Sequence, residues 1–449
     1  MNCVFKKLKY NNGGFTLVET LVGAAIFVLL AMSVYQAYSV TMDVIRLSRV
    51  KITATALGNE QFEIMRNLPY ADVGIVNGLP HGKIPAVQTL TRDGKEFTVK
   101  TTIRSIDDPF DGTIGGTPND ISPADYKLAE LEITCAACRN FPPLSLTTYI
   151  APKNLESATT NGALFVKVFD ALGQPIADAN VHIVNRQTIP NFTIDDTTNK
   201  DGILEIVDAP PGAVAYEITV SKDGYTTEKT YTPGDSGNPT PSRPNATVLV
   251  QQLTQISFII DKTSTLNVQS MSTTCQAIPN IVFSLKGQKL IGTSPNVYKY
   301  QATSTTDSTG KKVISGLDWD TYNTTFLDGS YNLAGIIPAS TFSLNPGVTQ
   351  DLKLILSPKT ASSSLLVIVK DATTGLPLSD VQAHLTGNGY NTTLTTVSAT
   401  GCQPGGQVFF TGLSRVNYNI SLSKAGYQTL GAALDVSQSW QQTEMVMSP

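Results

Sequence analysis

The sequence predicts an α+β module, a long amino-terminal helix packed on a small antiparallel sheet, followed by tandem all-β sandwich domains. Three observations carry this. Residues 15–42 are almost wholly apolar, with Glu19 their only charge, and a helical stripe continues to residue 68. Segments such as Lys95–Ser105 and Tyr126–Thr134 alternate apolar and polar residues, as half-buried strands do. The last two-thirds of the chain repeats itself: a shift of about 202 positions lays Gly173 on Gly375, Pro175 on Pro377, His182 on His384, Lys222 on Lys424 and Gly224-Tyr225 on Gly426-Tyr427.

The bulk composition fits this class. Charged residues make up 15% of the 449 residues, low beside the usual value of about 25%. Ser, Thr, Asn, Gly and Pro take their place, as in exported β-rich proteins with many turns. The length allows roughly three to five domains. A net charge of −4 gives no reason to expect nucleic-acid binding. The three histidines, His81, His182 and His384, are far apart and form no HxH or HExxH pair, which disfavours a histidine-based metal site.

Lys6, Lys7 and Lys9 form a basic segment ahead of the apolar run. That run is long enough to cross a ~30 Å hydrocarbon core as a helix, and the basic flank should stay in the cytoplasm. An ordinary signal peptide is cut after its apolar region. Here the Gly13-Gly14 pair precedes it, in the sequence GFTLVE at residues 14–19. The segment resembles type IV pilins and pseudopilins. The resemblance implies cleavage by a prepilin peptidase between Gly14 and Phe15, removal of leader 1–14 with Cys3, and N-methylation of Phe15. It also implies that Glu19 pairs with the α-amino group of a neighbouring subunit. A carboxylate at mid-membrane costs roughly 2.5–3.5 kcal/mol, so such a residue calls for a partner.

The helix should run over about 15–68, roughly 80 Å at 1.5 Å per residue. Ala54, Leu57, Gln61, Ile64, Met65 and Leu68 form its apolar stripe, with Glu60, Glu63 and Arg66 on the wetter side and Pro69 as the stop. The β head follows at about 95–152, with strands at 95–105, 126–134 and 144–151, closing a module of 15–152. Asp107, Asp108, Asp111, Asp120 and Asp125 lie in a Gly-rich loop, expected to be a solvated turn rather than a calcium site. Cys135 and Cys138 form an isolated CAAC, for which a local disulfide is expected.

The tail divides into sandwiches at 160–260, 261–358 and 362–449, the middle one divergent. Short alternating strands and Gly, Asp, Asn and Pro turns predict a sandwich or open barrel. Asp170, Gly173 and Pro175, then Thr198 and Gly202, then Gly224-Tyr225 resemble carboxypeptidase regulatory-like domains. That resemblance implies a transthyretin-like (prealbumin-like), Ig-like fold. His182 and His384 read as strand residues. Trp319 and Tyr322 read as core aromatics, with a sugar-stacking platform as the lesser alternative. Residues 232–245 read as a long exposed loop. Cys275 and Cys402 are the only tail cysteines, and in an oxidising compartment they are expected to bridge the last two modules.

No nucleophile, metal or nucleotide motif stands in a usable context, so no enzymatic activity and no cofactor are expected. The expected function is that of a minor pilin-like subunit of a type IV pilus, displaying its tail for adhesion or surface contact. The alternative is a pseudopilin of a type II secretion-like or DNA-uptake system whose tail binds cargo or polysaccharide. The partners expected are other pilin subunits, the prepilin peptidase, the inner membrane before assembly, and a surface or carbohydrate ligand. The chain should be a single-pass membrane protein with its carboxy-terminal part outside the cytoplasm, extracellular once in a pilus.

Overall fold

The computed structural model describes residues 16–153, 159–339 and 341–449. Gly14, Phe15, the leader lysines and Cys3 lie outside the described residues. The chain forms two compact units: one takes the chain up to Asp108 with the segment from Ala124, the other takes residues 109–123 and the chain from 159 onward.

In the first unit α1 (Leu17–Asn67) stops where Leu68 turns extended, at φ −73° and ψ 150°, because the residue before a proline is pushed out of the helical region. β1 (Val87–Arg92), β2 (Lys95–Ile106), β3 (Tyr126–Thr134) and β4 (Leu144–Ile150) form one antiparallel sheet in chain order. β1 was not anticipated. It joins β2 through Asp93-Gly94, both at positive φ (49° and 69°), the backbone a two-residue hairpin requires. Ala54, Leu57, Phe62 and Met65 of the helix share a core with Phe97, Val99, Ile103, Leu131 and Ile133 of the sheet. Ile64, expected in the stripe, is 50% exposed, and Phe62 is buried instead. At about 100° per residue Ile64 falls roughly 90° from the middle of the buried face, beyond the sheet's reach. Lys127, inward on β3, donates from Nζ to the Tyr70 and Val73 carbonyls at 2.8 and 2.6 Å.

The second unit repeats one topology three times. Module 1 has β5 (Gly162–Phe169), β6 (Asn180–Asn185), β7 (Phe192–Thr197), β8 (Ile203–Ala209), β9 (Gly212–Ser221), β10 (Glu228–Lys229), β11 (Ala246–Val248) and β12 (Leu253–Ile259). One sheet runs β12-β5-β8 and faces another of order β10-β9-β6-β7, with β11 also on β9. Module 2 has β13 (Ser264–Ser272), β14 (Val282–Gly287), β15 (Leu290–Thr293), β16 (Asn296–Tyr298), β17 (Gln301–Thr305), β18 (Lys311–Leu317), β19 (Asp320–Phe326), β20 (Tyr331–Ile337), β21 (Thr341–Leu344) and β22 (Thr349–Pro358). Its sheets run β18-β13-β22-β20 and β17-β14-β19-β21, with β15 and β16 as a separate hairpin. Module 3 has β23 (Ser363–Asp371), β24 (Gln382–Gly387), β25 (Tyr390–Thr395), β26 (Gln407–Leu413), β27 (Asn417–Ser423), β28 (Leu430–Asp435) and β29 (Trp440–Met447), in sheets β26-β23-β29 and β25-β24-β27-β28.

Pairing is antiparallel except that the first strand of each module lies parallel to its last: β5 with β12, β13 with β22, β23 with β29. Alternate residues of facing strands make each core, for example Val166, Val168, Ile183, Ile218 and Phe258 in module 1. Residues 109–123, read from the sequence as part of the head, belong to this unit. Ile114 is 3% exposed and packs with Ala163, Val207, Phe165 and Leu253.

Module 2 diverges because β20 is inserted where modules 1 and 3 run straight from β9 to β10 and from β27 to β28. β20 covers the edge of β22 on one side and module 3 on the other. Leu366 and Ile368 of β23 join the module 2 core, with Phe409 and Trp440 against it. Gln407 Nε2 donates to the Ile336 carbonyl at 2.7 Å, and the Ile336 amide donates to Gln407 Oε1 at 3.0 Å. Trp440 Nε1 donates to the Leu333 carbonyl at 2.8 Å. A side-chain amide thus takes the place of a neighbouring strand, and the two modules share one interior.

Candidate assembly segment

Every side chain from Thr16 to Thr41 is exposed in the isolated chain, including Leu17 (76%) and Phe27 (71%). The first buried residue of α1 is Val50. The helix therefore has two parts, one with no intramolecular face to bury and one seated on the sheet. The first is long and apolar enough to cross a membrane.

Glu19 sits in the first turn of α1. Its carboxylate accepts from the Thr16 amide at 2.9 Å and the Thr16 hydroxyl at 2.8 Å, and Thr16 Oγ1 accepts from the Glu19 amide at 3.3 Å. This reciprocal cap satisfies donors that a helix start leaves open. It also places a negative charge at the positive end of the helix dipole, beside the point where the chain enters the helix.

Residues 9–35 match the prokaryotic N-terminal methylation motif. The motif, the type IV pilin signal, overlaps the apolar first part of α1 and includes Glu19. The motif implies processing by a prepilin peptidase and association with other pilin subunits, and the apolar helix together with the motif points to single-pass membrane anchoring. No curated protein matches the chain. Among solved structures, the Bacillus anthracis TIE protein is 14% identical, covers 82% of this chain and 75% of its own, and has a TM-score of 0.20. GBS52, the minor pilin of Streptococcus agalactiae, is 13% identical over 41% of this chain and 95% of its own, at a TM-score of 0.16. The shaft pilin SpaA of Lactobacillus rhamnosus GG is 10% identical over 42% and 98%, also at 0.16.

The remaining sequence candidates fall elsewhere. Cys135 and Cys138 are bonded to each other beside the head core, with Cα atoms 5.3 Å apart. Cys275, in the turn after β13, is bonded to Cys402 of module 3, at a Cα separation of 5.4 Å. Cys275 adopts φ 63° where the matching turns of modules 1 and 3 carry Gly173 and Gly375. His182 Nδ1 lies 2.6 Å from Asp195 Oδ1 across β6–β7, and His384 Nε2 lies 2.7 Å from Asn391 Oδ1 across β24–β25. Both are outward strand positions paired to neighbours, His182 exposed and His384 half-buried.

Trp319 and Tyr322 form no open platform. Tyr322 is fully buried, and Lys289 Nζ stands 3.1 Å from the centroid of the Trp319 ring. Among the described residues, no three His, Cys, Asp or Glu side chains gather as metal ligands.

The sequence reading missed a repeated tyrosine. Tyr216, Tyr322 and Tyr418 are fully buried on β9, β19 and β27. The Tyr216 hydroxyl donates to the Pro210 carbonyl at 2.5 Å, Tyr322 to Asp318 at 2.9 Å, and Tyr418 Oη accepts from the Ser414 amide at 2.9 Å. Burial pushes the phenols of Tyr216 and Tyr322 well above the usual range. The same repeat that aligns the glycines lays Tyr216 on Tyr418, so the signal was present in the sequence.

Proposed function

We propose that the chain is a minor pilin-like subunit of a type IV pilus, cut between Gly14 and Phe15, N-methylated on Phe15, assembled through α1 and displaying its three β modules for adhesion or surface contact. The observation that carries this reading is the bare first part of α1. An apolar surface of this extent on a folded protein marks a site of association. Lipid holds it before assembly and the helices of other subunits hold it afterwards. Glu19 is the one charge in that surface. Its local cap leaves a carboxylate at the helix end, where a neighbour's amine can reach it.

Glu19→Ala tests the assembly role. The variant should insert into the membrane as well as the parent, since a charge has been removed, but should be lost from sheared filaments. Normal incorporation would overturn the role of Glu19. Immunogold labelling of the tail on whole cells tests the placement: label on surface fibres fits a pilus, and label confined to the envelope overturns it.

A further inference from the structure

Modules 1 and 2 are connected by a short linker, from Ile259 at the end of β12 to Ser264 at the start of β13. Two domains joined this way ordinarily move against each other unless their interface is extensive. Here the linker is itself tied down: the Thr226 amide donates to the Asp261 carbonyl at 2.8 Å, and the Thr263 amide donates to the Gly224 carbonyl at 2.9 Å.

A second connection lies to one side. Residues 232–245, between β10 and β11, read from the sequence as a long exposed loop; most of them are exposed, and the loop lies along the β15–β16 hairpin of module 2. The Ser242 amide donates to the Ile291 carbonyl at 2.9 Å, and the Thr293 amide donates to the Thr240 carbonyl at 3.1 Å. Asn238 Nδ2 donates to that same Ile291 carbonyl at 2.8 Å. Pro241 and Gly292 thereby face each other as strand partners. Asn238 is 5% exposed, and a Cβ on Gly292 would stand 1.9 Å from its Oδ1. A larger residue there would push the Asn238 amide off the Ile291 carbonyl.

Charges close the seam beside it. Lys299, just after β16, bonds both Glu228 of β10 and Asp318 of module 2. The three side chains are 18%, 19% and 8% exposed. Lys289 Nζ stands 3.0 Å from the Asp318 carboxylate, and Arg243 of the loop lies 3.8 Å from Glu228 and over the Phe258 ring. Each ammonium is held by a carboxylate, as buried charges must be.

We propose that residues 232–245 are a strap that locks module 1 onto module 2, with Gly292 as its seat and Lys299 as its ionic fastening, so that the linker is not a hinge. Nothing equivalent occurs between β27, β28 and β29, where the chain turns directly. The strap is independent of what the tail meets and of how the subunit is assembled.

The test uses the full chain in detergent micelles, carrying Cys3→Ser so that only the introduced thiols take label, with nitroxides on Thr193→Cys and Thr303→Cys, both exposed on outer strand faces, and double electron–electron resonance. The parent should give one narrow distance distribution. Gly292→Val unseats the strap, and Lys299→Glu puts three carboxylates in the seam; each should broaden the distribution by about twofold or more as the linker becomes a free joint. Amide exchange on β5 and β13 confirms that both modules stay folded. If Gly292→Val disturbs the hairpin, Lys299→Glu carries the test alone. A broad distribution in the parent, or folded variants as narrow as the parent, would overturn the proposal.

Discussion

Gln407→Ala should open the seam between modules 2 and 3, and the size of the effect follows from two hydrogen bonds. Gln407 is 6% exposed and Ile336 fully buried, and the amide satisfies both the N–H and the C=O of Ile336. Truncation strands a buried donor and a buried acceptor, at about 1–3 kcal/mol each. Water entering the vacated space lowers the total, leaving about 2–5 kcal/mol. Denaturation of the whole chain merges the unfolding of several modules, so the readout should be local. Amide exchange over Tyr331–Ile337 reports it directly, and protection there should fall by roughly 30-fold to a few thousand-fold. Gln407→Leu separates bonding from packing. It refills the volume but cannot bond, so protection should stay low. Full protection in Gln407→Leu would mean that the amide only fills space; unchanged exchange in Gln407→Ala would refute the reasoning outright.

Three further outcomes are expected. Intact-mass analysis of the mature protein should place its first residue at Phe15 with one added methyl group; a start near residue 40 would mean an ordinary signal peptide. Non-reducing peptide mapping should join Cys135 to Cys138 and Cys275 to Cys402. The second bridge spans 127 residues, so the chain-entropy account assigns it about 5 kcal/mol; free thiols at both positions would contradict the bridge. In module 3 the Tyr427 hydroxyl, followed by the Thr374 amide, holds the Asp371 carboxyl down at about 2 from an ordinary 3.8. A depressed carboxylate stabilises the fold above its unfolded value and loses that contribution as pH falls through the folded one. Amide protection on β23, corrected for the intrinsic exchange rate at each pH, should therefore drop between about pH 4 and pH 2, and Tyr427→Phe should shrink that drop; an identical acid profile would exclude the pair as its source.

For the helix and strands, what the sequence revealed was local. Apolar runs and alternation mark α1, β2, β3 and β4, since each depends on its own residues meeting one face. β1 also left a mark, Asp93-Gly94, which the apolar pattern of VQTLTR was too weak to bring out. Ile64 and Phe62 exchanged places because a stripe at a helical period has soft edges, and only the width of the sheet decides which margin is covered. The strap and β20 were illegible for a different reason. Residues 232–245 are polar and turn-rich and would suit open solvent equally well. Tyr331–Ile337 reads as one more strand. Their partners, the β15–β16 hairpin and Gln407, lie roughly 50 to 70 residues away, and no local period encodes such a meeting. At the amino terminus the residue types and spacing around Glu19 were legible, and so was its cap: Thr16 three residues before Glu19, ahead of an apolar run, is the capping-box pattern, which the membrane-helix reading passed over.

The two-sided burial of β20 fixes how this protein can be divided. Cutting the chain between modules 2 and 3 would bare Leu366, Ile368, Phe409 and Trp440 on one fragment and the outer edge of β20 on the other. A module 3 fragment would carry an exposed apolar sheet face, and a module 2 fragment an unpaired strand edge; both are routes to aggregation. Modules 2 and 3 therefore have to stay together in any fragment, and a repeat boundary drawn between them from sequence similarity would cut through a shared interior. Placed after another copy of module 1, module 3 would find no counterpart of β20 to cover Leu366, Ile368, Phe409 and Trp440. Resemblance among the three repeats conceals an order: the third docks on a strand that only the divergent second copy carries.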